Sequence, residues 1–214
     1  MQKIEEMNIL NFRDLSKFNE KIKSNVIYRS SALCLVKEEK LLEKELMKKN
    51  ITTIVDFRAD REIEENSYSK EFHCKFNIVH APFDPWNQSI EFQNTYNTGT
   101  NVEIAYKFFS YECKDSIKKV ILAILNTTDS IVIHCHAGKD RTGIFATILH
   151  LLVDGLNDSI YTDYLASKMD TRIEYIDIFL NIVEESGNIV NYLESCNLSL
   201  EEINNLKNRV SQIC

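Results

Sequence analysis

Proline and glycine are scarce in this chain: Pro82 and Pro85 are its only prolines, and 214 residues contain five glycines. No Pro/Gly/Ser-rich linker divides it, so one domain spanning 1–214 is the expectation, built largely of helices. Each Gly or Pro that does occur should have a local task, and Pro82-Phe83-Asp84-Pro85-Trp86 is the clearest break. Positive charge is also short, with 25 Lys and Arg against 32 Asp and Glu and a net charge of −7. That balance argues against a dedicated nucleic-acid binder, which needs clustered cations to neutralise phosphates. No stretch approaches the roughly 18 apolar residues of a membrane span, so no integral membrane segment is expected. The first six residues, Met1 to Glu6, hold no apolar signal core. The six cysteines, at 34, 74, 113, 135, 196 and 214, show neither a Cys-x-x-Cys spacing nor a dense disulfide framework, so reduced thiols and a cytoplasmic location are expected, with export lacking a cleaved signal left open. The five histidines form no ligand-spaced cluster, and neither metal nor other cofactor is expected.

What is present is alternation of helical and strand patterns. Residues 37–49 place Leu41, Leu42 and Leu46 on one stripe amid charges, and the β-branched run 51–56 follows. A second strand is expected at 76–80, stopped by Pro82. Helical spacing resumes over 102–125 with a break near 111–114, and Tyr106, Phe108 and Phe109 read as core. Ile131-Val132-Ile133-His134 is a short continuous apolar run, as expected of a strand buried on both faces of a mainly parallel sheet. Residues 142–153 are apolar nearly all round and should form a buried central helix. Further helices are expected at 158–168, 172–185 and 199–213, the last opening on the capping pattern Ser199-Leu200-Glu201-Glu202. Strands alternating with helices, followed by helices alone, give an α/β fold with a mainly parallel central sheet flanked by helices and a helical C-terminal half.

Between the strand at 131–134 and the helix lies His134-Cys135-His136-Ala137-Gly138-Lys139-Asp140-Arg141-Thr142-Gly143. Five residues separate Cys135 from Arg141. A loop of that length between a strand end and a helix start can curl its N–H groups around one small anion, which the helix dipole also favours. Arg141 would grip two oxygens of a phosphoryl group while Cys135 attacks phosphorus. A helix N-terminus and a guanidinium favour thiolate over thiol in general.

This decapeptide resembles the signature loop of cysteine-dependent phosphatases, and more narrowly that of the bacterial and fungal tyrosine-phosphatase-like group. Asn11-Phe12-Arg13-Asp14-Leu15, Val26-Ile27-Tyr28-Arg29-Ser30-Ser31, Ile54-Val55-Asp56-Phe57-Arg58 and Asp163-Tyr164-Leu165 resemble that group's other motifs, in its order. Two departures stand out: Ser16-Lys17 replaces the usual Gly-Gly, and Asp154-Gly155 replaces an apolar pair and a Gly. The resemblance implies a dual-specificity-phosphatase-like fold and a metal-independent phosphomonoesterase working through a cysteinyl phosphate. Its implied partners are phosphotyrosine proteins, other phosphoproteins or phosphoinositides. The alternative is a catalytically idle module that binds phosphorylated ligands.

On this reading Cys135 is the nucleophile and Arg141 binds the phosphoryl oxygens, while His136, Ala137, Gly138, Lys139 and Thr142 line the substrate site. Lys139 either widens the site for a more anionic substrate or balances Asp140 in solvent. Thr142 either bonds the Cys135 sulfur or bonds back within its helix. Gly143 allows close packing, and His134 orders the loop from behind. The proton donor is expected to be Asp140, with Asp56 and Asp84 as alternatives; for Asp56 an ion pair with Arg58 is the competing role. Residues 83–102 form either a lid over the site or a passive surface segment.

Overall fold

The computed structural model describes residue 7 and residues 9–212. Five strands, β1 (Arg13–Asp14), β2 (Ile27–Ser30), β3 (Ile51–Asp56), β4 (Asn77–His80) and β5 (Ser130–His134), form one sheet in the order β1-β2-β5-β3-β4. Only β1 runs antiparallel to its neighbour; β2, β5, β3 and β4 are parallel. The expected mainly parallel sheet is therefore present, with β5 at its centre. Eleven α-helices are described: α1 (Glu39–Lys48), α2 (Asp60–Glu65), α3 (Lys70–His73), α4 (Ile90–Tyr96), α5 (Asn101–Tyr111), α6 (Lys114–Leu125), α7 (Asp140–Leu152), α8 (Asn157–Leu165), α9 (Ile173–Glu185), α10 (Ile189–Ser195) and α11 (Leu200–Val210).

Alternation along the central strands explains why β5 is apolar throughout. Successive side chains point to opposite faces, and both faces are covered. Ile131, Ile133, Ile27 and Val55 join the larger core under α5, α6, α7 and α9, whereas Val132, Tyr28 and Ile54 join a smaller core beneath α1 and the aromatic trio Tyr68, Phe72 and Phe76. Helix α7 is buried along nearly its whole length, as its all-round apolar pattern required.

The expected helix at 102–125 breaks at Glu112 and Cys113, and the one at 199–213 ends at Val210, so Ile213 lies outside the described residues. Three features differ from the sequence expectation. Helix α7 begins at Asp140, not at Thr142, which moves Asp140 and Arg141 into the first turn. Residues 83–102 contain α4 and are pinned into the core by Phe83 and Phe92, while Trp86 stays 64% exposed. Short α2, α3 and α10 carried too few turns to show periodicity. Of the two departures from the group pattern, Ser16-Lys17 sits in a 3₁₀ turn (Leu15–Phe18), and Asp154 takes a positive φ of 56° beside a Gly155 that could not carry a Cβ, which would meet the His150 carbonyl oxygen at 2.5 Å.

Candidate active site

The parallel sheet delivers the thiol. In β5 the register pairs His134 with Ser30 of β2 and Asp56 of β3, so the chain leaves the sheet at its C-terminal edge between two neighbours. Cys135 follows at once and is 2% exposed. The crevice beyond the carboxyl ends of parallel strands is where open α/β sheets place ligands.

The loop owes its shape to groups far away in sequence that pull its carbonyls outward. Ala32 donates its N–H to the His136 carbonyl at 2.9 Å, Asn11 donates its side-chain amide to the Ala137 carbonyl at 2.8 Å, and Arg29 donates to the Gly138 carbonyl at 2.9 Å and the Lys139 carbonyl at 3.3 Å. A peptide plane whose oxygen points out turns its N–H the other way. None of the backbone N–H groups of residues 136–141 meets an acceptor among the described residues. They form a concave set of donors at the N-terminus of α7, the arrangement that binds anions. Gly138 makes the turn possible: its φ is +69°, and a Cβ there would lie 2.3 Å from the Ser30 carbonyl oxygen. Gly138→Ala is expected to cost about 1–3 kcal/mol of strain, read as a lowered urea midpoint with unchanged slope.

Arg141 is held across the loop by a partner the sequence did not suggest. Its Nη1 and Nη2 donate to the two carboxylate oxygens of Glu62 at 2.5 and 2.9 Å, a bidentate pair, and Glu62 also accepts the Ala59 N–H at 2.8 Å. Burial works against the guanidinium charge, but the Glu62 hydrogen bonds and charge outweigh it and raise the Arg141 pKa. No periodicity or motif marked Glu62, because a six-residue helix displays neither. His136 is largely exposed, its Nδ1 4.0 Å from Glu62.

Behind the loop, His134 is buried. Its Nδ1 sits 3.0 Å from the Cys135 carbonyl, an acceptor only, so Nδ1 carries the proton and Nε2 accepts from the Tyr68 hydroxyl at 2.7 Å. Burial lowers the His134 pKa despite Asp56 at 3.7 Å, in keeping with a neutral ring. The expectation that His134 orders the loop from behind fits this geometry.

The three aspartates are in different surroundings. Asp56 is 1% exposed, and Arg58 Nε donates to both of its oxygens at 3.0 Å while Nη2 adds a 2.7 Å bond. Burial opposes its charge, yet the Arg58 hydrogen bonds and charge hold its carboxyl below the ordinary range. It pairs with Arg58 and is absent from the lining of the groove beside the loop. Asp84 accepts the Trp86 N–H at 3.1 Å, closing its own turn, and is absent from the lining of the groove beside the loop. Asp140 stands at that groove. Its Oδ1 accepts the Tyr106 hydroxyl at 2.6 Å and lies 3.3 Å from the Tyr164 hydroxyl. Tyr106 was expected as core alone. Its ring is buried there, but its hydroxyl reaches the site.

Lys139 does not stand free over the loop: its amine donates to the Asp170 carbonyl at 2.6 Å and lies 3.5 Å from Asp140. Thr142 is buried with a hydroxyl that has no hydrogen-bond partner among the described residues, so it makes neither expected bond. Gly143 packs as expected, a Cβ there meeting the Tyr164 ring at 3.0 Å. The five described cysteines are all free, and among the described residues no three His, Cys, Asp or Glu side chains gather as metal ligands. No helix of the described residues is long and apolar enough to cross a membrane.

Strand, loop and buried helix in this order, with the thiol at the strand end and the guanidinium in the first helical turn, define a cysteine-dependent phosphatase of the tyrosine-phosphatase type. The profile of the tyrosine phosphatase family matches residues 4–173, and the chain belongs to that family. No curated protein matches the chain. Among solved structures it is similar to TpbA of P. aeruginosa, at 11% identity and a TM-score of 0.44 over 88% of this chain and 92% of that one. It is also similar to the human tyrosine phosphatase-like serine/threonine/tyrosine-interacting protein, at 12% identity and a TM-score of 0.43 over 75% of this chain and 94% of that one.

Proposed function

We propose that this phosphatase hydrolyses phosphomonoesters without a metal ion, Cys135 attacking phosphorus to form a cysteinyl phosphate that water then cleaves. The observation that carries the reading is the set of outward carbonyls at residues 136–139, which turns the N–H groups that follow them inward, beside an Arg141 that Glu62 pre-orients. Such donors need no reorganisation as charge spreads over the equatorial oxygens. Asp140 gives its proton to the leaving oxygen and takes one from the attacking water afterwards.

Phosphotyrosine is the favoured substrate over phosphoserine, phosphothreonine or phosphoinositides. The groove of about 550 Å³ that reaches Asp140 and Arg141 is lined by Trp86, Val102, Ala105 and Phe109 with amide side chains at its edge. Arg141 is the only Lys or Arg lining it, and Lys139 is committed to Asp170. An aromatic leaving group fits such walls, whereas a polyphosphorylated inositol would meet few cations. Initial rates on a phosphotyrosine peptide, a phosphoserine peptide and phosphoinositide vesicles test this on one preparation; fastest turnover of the vesicles would overturn the preference.

The role of Asp140 has its own test, because a general acid matters most when the leaving group is poor. Asp140→Asn should slow an alkyl phosphate by about 10²-fold and leave nitrophenyl phosphate, which departs unaided, much less affected. Equal losses on the two would mean that Asp140 shapes the loop and donates no proton.

A further inference from the structure

Three oxygens meet where α5, α7 and α8 converge: the Tyr106 and Tyr164 hydroxyls are 2.6 Å apart, and Asp140 Oδ1 is 2.6 Å from the first and 3.3 Å from the second. Two phenols have only two protons to share among three contacts. A carboxylate is the stronger acceptor, so the short Tyr106 contact takes the Tyr106 proton and Tyr164 donates to Tyr106 in turn. Both hydroxyl contacts of the Asp140 carboxyl, and its nearest approach to Lys139, fall on Oδ1. Among the described residues no hydrogen bond is made to Oδ2.

We propose that Tyr106, backed by Tyr164, is a positioning residue for proton delivery: it occupies Oδ1 of Asp140 so that Oδ2 alone carries the proton and presents it to the leaving oxygen in the groove beneath Trp86. The proposal rests on the reading of Asp140 as the proton donor. As the sulfur–phosphorus bond forms and the bond from phosphorus to the leaving oxygen breaks, the proton passes from Oδ2 to that oxygen, leaving a carboxylate. In the second step water supplies the oxygen that displaces sulfur and returns its proton to Oδ2. Because Oδ1 is tethered throughout, the same oxygen serves both steps without a turn of the side chain. Tyr106 is suited to this role, since burial holds its phenol protonated far above the ordinary range.

A buried tyrosine that merely fills the core would affect stability and every substrate alike. The test is Tyr106→Phe, which removes one oxygen and keeps the ring, with Tyr164→Phe as a second variant. For Tyr106→Phe, kcat on an alkyl phosphate should fall about tenfold, against less than about twofold on nitrophenyl phosphate, with KM and competitive inhibition by vanadate unchanged. Tyr164→Phe should show the same selectivity more weakly. In an Asp140→Asn background, Tyr106→Phe should have no further effect on either substrate, since there is no proton to aim. Equal loss on both substrates, no loss, or additivity with Asp140→Asn overturns the role of Tyr106. If Asp140→Asn alone slows both substrates equally, the underlying reading of Asp140 falls, and the proposal with it.

Discussion

Cys135→Ser is expected to abolish phosphate release, lowering kcat by about 10⁴-fold or more, as removal of a nucleophile does elsewhere. The change replaces sulfur with a smaller oxygen at a site 2% exposed, so it removes little packing and creates no cavity of consequence. What it removes is chemical: a hydroxyl has no comparable route to an anion in this loop, and an uncharged hydroxyl without an adjacent base is a poor nucleophile. The backbone donors of residues 136–141 and the Arg141–Glu62 pair stay in place. Binding of a phosphotyrosine peptide should therefore survive, and the inactive variant should hold substrate. The same experiment separates an enzyme from an idle binding module, because a module would bind alike in both forms and release phosphate in neither. Activity within tenfold of wild type would rule out Cys135 as the attacking group.

The largest effect on stability is expected from Asp163→Asn, at about 3–5 kcal/mol. Asp163, on α8, is buried and joins both N-terminal strands to the helical half. Its Oδ1 accepts from Arg13 Nε at 2.8 Å, its Oδ2 forms an ion pair with Arg29, and His150 Nε2 lies 3.5 Å away. Arg13 also donates to the Asp163 carbonyl at 2.6 Å and to the Ser167 hydroxyl at 3.1 Å. Burial alone would raise the Asp163 pKa, but Arg29 first, then His150 and Arg13, hold it well below the usual carboxylate range. Arg13 shows the opposing strain: burial and the Arg29 charge lower it to about 10. An asparagine would leave two buried guanidiniums without a counter-charge.

The sign of the pH dependence follows from the depressed pKa. The stabilisation is complete above the unfolded carboxyl value of about 3.9 and is lost as pH falls below it towards the folded value. Urea denaturation should show the full deficit of Asp163→Asn near neutrality and a shrinking one below about pH 4. A deficit under about 1 kcal/mol near neutrality would mean that the network behaves as an exposed pair. Activity should fall too, because Arg29 is the group that draws the Gly138 and Lys139 carbonyls outward.

The residues of this network were visible in the sequence as motifs, though their purpose was not. Asn11, Arg13, Arg29 and Asp163 stand out as resemblances, yet nothing local says that they meet beneath one loop, since Arg29 and Asp163 are 134 residues apart. Asp56 illustrates the opposite case. Its place at a strand end allowed both a catalytic and a structural role, and only the packing of Arg58 and His134 around it showed the ion pair.

The sequence by itself determined the strand, loop and helix that carry Cys135 and Arg141, because each follows from interactions within a few residues. A continuous apolar run makes β5, an all-round apolar run makes α7, and the spacing from Cys135 to Arg141 with Gly138 between them allows a loop that can curl around an anion. The tertiary structure alone decided which groups hold that loop and aim its chemistry. Glu62 reaches Arg141 across 79 residues from a helix too short to show a pattern, and Tyr106 reaches Asp140 across 34 from a helix whose pattern reports only which face is buried. Hydrophobic periodicity specifies that a face packs, while the identity of the polar atoms brought together at its edge depends on how distant elements are stacked on the sheet.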